Sequence, residues 1–120
     1  MEITLYDKSG KPVAYISEEN GNAIYLWSGQ AVSYLDGEKI FGWKGKHIGW
    51  FVNDIIYDTK GYRVGFTKKT CPSVTYIESV KYVKYVQYVK YVKFSPYAKP
   101  SFSTGYSNIS LKEFLEQNKV

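Results

Sequence analysis

Few side chains in this chain are placed to do covalent chemistry. The one histidine, His47, lies two residues past Gly45 in a turn. A zinc site there would need Cys or further His close by, so His47 reads as a surface or turn histidine. A Ser-His-Asp arrangement has no supporting motif, and neither G-x-x-x-x-G-K-[ST] nor G-x-G-x-x-G occurs. Asp7 and Asp58 hold equivalent places in a repeat and could form a carboxylate pair. Both are next to turns, however, where Asp hydrogen-bonds its own backbone. The single Cys71 excludes an intrachain disulfide, and no histidine stands near it in sequence to activate it. No catalytic, cofactor or metal residue is therefore assigned. The expectation is a non-enzymatic binding or assembly module.

Residues 80–94 read VKYVKYVQYVKYVKF, five triplets of Val, then Lys or Gln, then an aromatic residue. Two kinds of recognition follow from that spacing. A homo-oligomeric contact would use the line Val80, Val83, Val86, Val89 and Val92 with Tyr82, Tyr85, Tyr88 and Tyr91, leaving a solvated lysine face beside a buried Val and Tyr face. Single-stranded nucleic acid would instead set Lys81, Lys84, Lys90 and Lys93 on phosphates and stack bases on the tyrosines; the valines do not suit that use. Charge is segregated in its favour, since residues 67–100 carry seven Lys against Glu78 and hold nearly all of the formal net charge of +5.

Period three is neither the strand period of 2 nor the helix period of 3.6. A polyproline II conformation has three residues per turn and would set Val, Lys and aromatic on separate stripes. A long β-strand is the alternative, favoured by the propensities of Val and Tyr and by the absence of Pro from the run.

The elements that must carry this segment are legible upstream. Four units align on Gly10, Gly29, Gly45 and Gly61: LYDKSGKPVAYI, IYLWSGQAVSYL, IFGWKGKHIGWF and IYDTKGYRVGFT. Each reads aliphatic, aromatic, three residues, Gly, two residues, Val or Ile, a small residue, aromatic. An internal repeat of this kind governs the fold. The β-branched and aromatic residues favour strands, and the Gly supplies the positive φ that ends a bulged hairpin turn. Asp36-Gly37, Asn53-Asp54 and the stretch Glu19 to Asn22 link the units as further turns. The small residues Ala14, Ser33, Gly49 and Gly65 face away from their flanking aliphatic and aromatic neighbours, which predicts close approach of backbone or rings. An aromatic share of 18% permits a ring-rich core.

These units, above all GKHIGWF and YDTKGYRVGF, together with the tail KPSFSTGYSNISLKEFL, resemble the bacterial family of 4-fold β-flower proteins. The resemblance implies four hairpins around a pseudo-fourfold axis and brings no activity with it. Relatives tend to carry Pro-rich triplets before the tail, which this chain lacks. The expected fold is all-β: four tandem β-hairpin repeats in residues 1–67, an extended period-three segment and link in 68–109, and a short helix in 110–118. Ser110 opens that helix with Glu113 at the capping-box position, and Leu111, Phe114 and Leu115 share its docking face. A third and separate use of the hairpins would be aromatic-groove ligand or saccharide capture by Trp27, Trp43 and Trp50. The strings GWKGKHIGWF and IIYD are similar to choline-binding hairpin repeats, which normally follow a secretion signal. The N-terminus has no such signal and no apolar run is long enough for a membrane span, so a cytoplasmic location is expected.

Overall fold

The computed structural model describes residues 1–120. Eight strands follow one another: β1 (Glu2–Tyr6), β2 (Pro12–Ser17), β3 (Ala23–Leu26), β4 (Ala31–Asp36), β5 (Lys39–Gly42), β6 (His47–Val52), β7 (Ile55–Asp58) and β8 (Arg63–Phe66). Each pairs antiparallel with the next, and β8 meets β1 through Phe66 and Tyr6, so the sheet is a closed barrel. Closure removes every free edge, which short strands in lone hairpins could not do. The four repeats are thus four hairpins around one axis.

Every hairpin carries the same irregularity. The pairing steps from Leu5 and Ala14 to Tyr6 and Pro12, and likewise at Ile24, Ile40 and Ile56, skipping Val13, Val32, Ile48 and Val64. A bulge re-aims the extra residue. Val32, Ile48 and Val64 accordingly join the interior cluster with Leu5, Ile24 and Ile40. In the first and last turns Asp7 Oδ1 accepts from the amides of Ser9 and Lys11, and Asp58 Oδ1 from those of Lys60 and Tyr62. The two carboxylates serve their own turns. At the opposite end of the barrel Asn53 (φ 52°) and Asp54 (φ 63°) both take the left-handed form that a two-residue hairpin loop needs.

The helix α1 (Leu111–Glu116) plugs the barrel at its glycine-turn end, with Leu111, Phe114 and Leu115 at 0–1% exposure. Ser110 Oγ accepts from the Glu113 amide, which caps the helix, and donates to the Glu113 carboxylate. Two of the four small positions now have their reason. A β-carbon on Gly49 would meet the Tyr57 carbonyl and, at 2.5 Å, Phe114 Cζ, and one on Gly65 would meet Leu111 Cδ1 at 2.8 Å. Space inside the barrel is reserved for the plug.

Outward-facing rings form a second cluster of Tyr15, Tyr25, Tyr34, Phe41 and Trp43. Such rings on a barrel exterior would ordinarily be wet, yet these are at most 3% exposed. Residues after 67 cover them.

Candidate functional site: a lysine-faced belt

From Val74 to Phe102 the chain forms no helix and pairs with no strand. It runs around the barrel as a belt, and four docks hold it. A β-carbon on Gly10, Gly29, Gly45 or Gly61 would collide with the carbonyl of Val74, Val83, Val92 or Ser101 respectively. Two residues further on, the amides of Tyr76, Tyr85, Phe94 and Ser103 each donate at 2.9 Å to the carbonyl of the same glycine. Belt contacts therefore recur every nine residues, three triplets to each hairpin. The glycines have φ between +90° and +99°, so one residue type answers both the turn and the close approach of the belt.

Side-chain directions follow from this frame. Lys81 and Lys84 reach the Tyr15 ring at 4.9 and 5.4 Å, and Lys90 and Lys93 reach the Tyr34 ring at 4.5 and 5.8 Å. Lys81 also lies over Trp27 and Lys90 over Trp43. One step further round, Lys99 sits over Trp50 at 6.0 Å and Phe102 stacks on Tyr57 at 4.1 Å. Cationic heads over ring faces are attracted by the quadrupole, while the methylene stems cover apolar surface. The lysine heads also find carboxylates: Glu2 bonds Lys81 at 2.8 Å and Lys84 at 2.9 Å, and Asp36 pairs with Lys93 at 3.1 Å. These bonds hold the Glu2 carboxyl below its usual range and raise Lys84 and Lys93. Burial raises the Tyr15 and Tyr34 phenols. Gln87, the odd member of the run, donates to Tyr25 Oη at 2.8 Å and to the Asn20 carbonyl at 3.2 Å.

The lysine stripe, expected in water, is instead the one that packs on the barrel. The lysines face the barrel, and it is the valines that stand in water: Val80, Val83, Val86, Val89 and Val92 are 79–94% exposed. Tyr82, Tyr85, Tyr88 and Tyr91 form the other outward stripe, each more than half exposed. The reason is that a long lysine stem packs on rings and still delivers its charge to Glu2 or Asp36, whereas a valine in that place would strand both the ring faces and the carboxylates. Of the four lysines that a phosphate backbone would use, Lys81, Lys84 and Lys93 are paired with carboxylates, and Lys90 lies over the Tyr34 and Trp43 rings with no carboxylate partner. Of the three indoles, Trp43 and Trp50 are buried, while Trp27 is half-buried and lines a cavity with Pro12, Val13 and Leu26. His47 is likewise not on the surface. It is 1% exposed on β6, against Phe41, Trp50 and Tyr97.

Sequence reasoning did not identify the outer rings Tyr15, Tyr34 and Phe41 or the glycine carbonyls as the belt's receptor. The signal was available, because the aromatic position recurs in each repeat on the face opposite the small residue that lines the interior.

The closed eightfold meander, the glycine docks and the helical plug agree with one family model, that of the 4-fold beta flower protein, which matches residues 3–115. The chain belongs to that family. No curated protein and no solved structure matches this beta flower chain. No helix in it is long and apolar enough to cross a membrane, and no three His, Cys, Asp or Glu side chains converge as metal ligands would.

Proposed function

We propose that this beta flower protein is a non-enzymatic assembly module whose belt presents its Val and Tyr stripes to a second copy of the chain. The observation that carries this is the exposure of Val80 to Val92 on a segment whose backbone is tied down at every ninth residue. Contiguous apolar surface of that kind marks an interaction site. Because the stripe repeats every three residues, an antiparallel copy meets it with valine at every step, the self-complementarity that a twofold interface needs. Belt amides such as those of Val83, Val86 and Val89 have no internal partner and are free to pair as well. Each valine buried in the contact would contribute about 1.5 kcal/mol or more.

Sedimentation equilibrium tests this. The parent protein is expected to sediment as a dimer or larger, and Val83→Ser/Val86→Ser/Val89→Ser as a 13.8 kDa monomer with an unchanged far-ultraviolet spectrum. A monomeric parent at high micromolar concentration, or a triple variant of parental mass, overturns it.

A further inference from the structure

His47 is the only histidine in the chain, and both of its ring nitrogens are engaged inside the protein. Nδ1 accepts from the backbone amide of Tyr97 at 2.9 Å. Nε2 lies 2.8 Å from the Gly49 carbonyl. An amide can only donate, so Nδ1 must present a lone pair and Nε2 must carry the proton, which it donates to Gly49. One neutral tautomer is thereby selected. A second proton would have to go on Nδ1, where it would point at the Tyr97 N–H. The bond would be replaced by two donors facing each other in a buried place.

The position of this bond in the belt gives it a consequence. Between the docks at Gly45 and Gly61 the belt is tied by Tyr97 to His47 and by the Lys99 to Glu38 ion pair at 2.8 Å. Loss of the first leaves the stretch around Pro96 held by Lys99, through its exposed ion pair with Glu38 and its place over the Trp50 ring. His47 and Tyr97 also border a cleft of about 570 Å³ next to the helical plug. In the other three repeats the place of His47 is taken by Pro12, Ala31 and Arg63, none of which titrates near neutral pH.

We propose that His47 is an acid-sensitive latch: when it is neutral it holds the last third of the belt through Tyr97, and when it is protonated it releases that third and widens the adjoining cleft. The groups facing the ring agree with this. Lys39 of β5 opposes a positive charge there, and Lys46 precedes it on its own hairpin. Across the cleft stand Lys60 and Asp58, and the Asp58 Oδ1 is occupied by its own turn amides. From the belt come the Tyr97 amide and Lys99. No carboxylate bonds the ring to stabilise an imidazolium, and burial, more than Lys39, pushes the imidazole below its ordinary value of 6.5.

A depressed histidine favours the latched form at high pH, and the advantage begins to fall away below about 6.5, where the released ring takes up a proton. Between that pH and the lower value of the latched ring, the open population rises about tenfold per pH unit.

Because there is a single histidine, its ring signals in a two-dimensional nitrogen–proton spectrum need no assignment. The full-length protein is titrated from pH 7.5 to 5 while exchange protection, corrected for the intrinsic rate, is followed at the amides of Tyr97, Tyr76 and Tyr85. The expected result is the Nε2–H tautomer at pH 7.5. On acidification, protection at Tyr97 should fall about tenfold per pH unit below 6.5, with Tyr76 and Tyr85 unmoved. His47→Gln, which keeps an acceptor for Tyr97 without a titrating proton, should abolish the change. An Nδ1–H tautomer, a Tyr97 amide whose protection ignores pH, or loss of protection at all three amides together would each overturn the latch on the parent protein alone.

Discussion

The carbonyl of Val83 fills the space that a β-carbon on Gly29 would need, and Gly29 itself sits at φ +99°. Turn and belt therefore demand the same residue. Gly37 provides the comparison: its φ is +61° and nothing lies within 4 Å of the place its β-carbon would take. Gly37→Ala carries only the left-handed strain, about 1 kcal/mol. Gly29→Ala adds displacement of the belt, and unfolding in urea should show a loss of about 2–4 kcal/mol. Equal losses for the two variants would mean that the belt does not press on Gly29.

The lysine face predicts a dependence on acid. Glu2 is held below its ordinary carboxyl value by its bonds to Lys81 and Lys84. Its contribution is full above the unfolded value near 4.5 and is lost as pH falls through the lower folded value. Lys84, raised by Glu2, contributes below its ordinary 10.5 and ceases to do so as pH rises through the raised value. All three side chains remain about a third exposed, so Glu2→Gln should cost no more than about 1 kcal/mol. Thermal unfolding at pH 7 and at successively lower pH checks this: the gap between parent and variant should narrow as pH falls below about 4.5.

The plug should behave as core. Phe114 is 1% exposed against Gly49, and Phe114→Ala should cost about 3–5 kcal/mol in equilibrium unfolding. A loss below 1 kcal/mol would place α1 outside the cooperative unit.

How far the sequence foretold this varies from element to element. The four glycines, the turn residues and the Ser110 cap were readable because each answers a local demand that its neighbours advertise. The docking face of α1 was readable too, from Leu111, Phe114 and Leu115 alone. The belt was half readable. Its period disclosed three stripes, but which stripe faces the barrel depends on what the barrel offers, and Tyr15, Tyr34, Glu2 and Asp36 come together only when it closes. A lysine is also ambiguous by nature, since its stem is apolar and its head charged. His47 differs from the expectation because its place in the repeat is beside a turn, and it is buried there by Phe41 of the neighbouring strand, by Trp50 of its own strand and by Tyr97, fifty residues downstream.

The belt is held in a nine-residue register with its lysines inward, and amide hydrogen exchange resolved by residue is the decisive test of that register. Protection should recur at Tyr76, Tyr85, Phe94 and Ser103, whose amides donate to the four glycine carbonyls, and at Tyr82 and Tyr91, which donate to Trp27 and Trp43. In the monomeric Val83→Ser/Val86→Ser/Val89→Ser protein the amides at 83, 86 and 89 should exchange freely while those six stay protected. Alternate-residue protection along 80–94, as a strand would give, or exchange at Tyr76, Tyr85 and Phe94 as fast as at their neighbours, would contradict it.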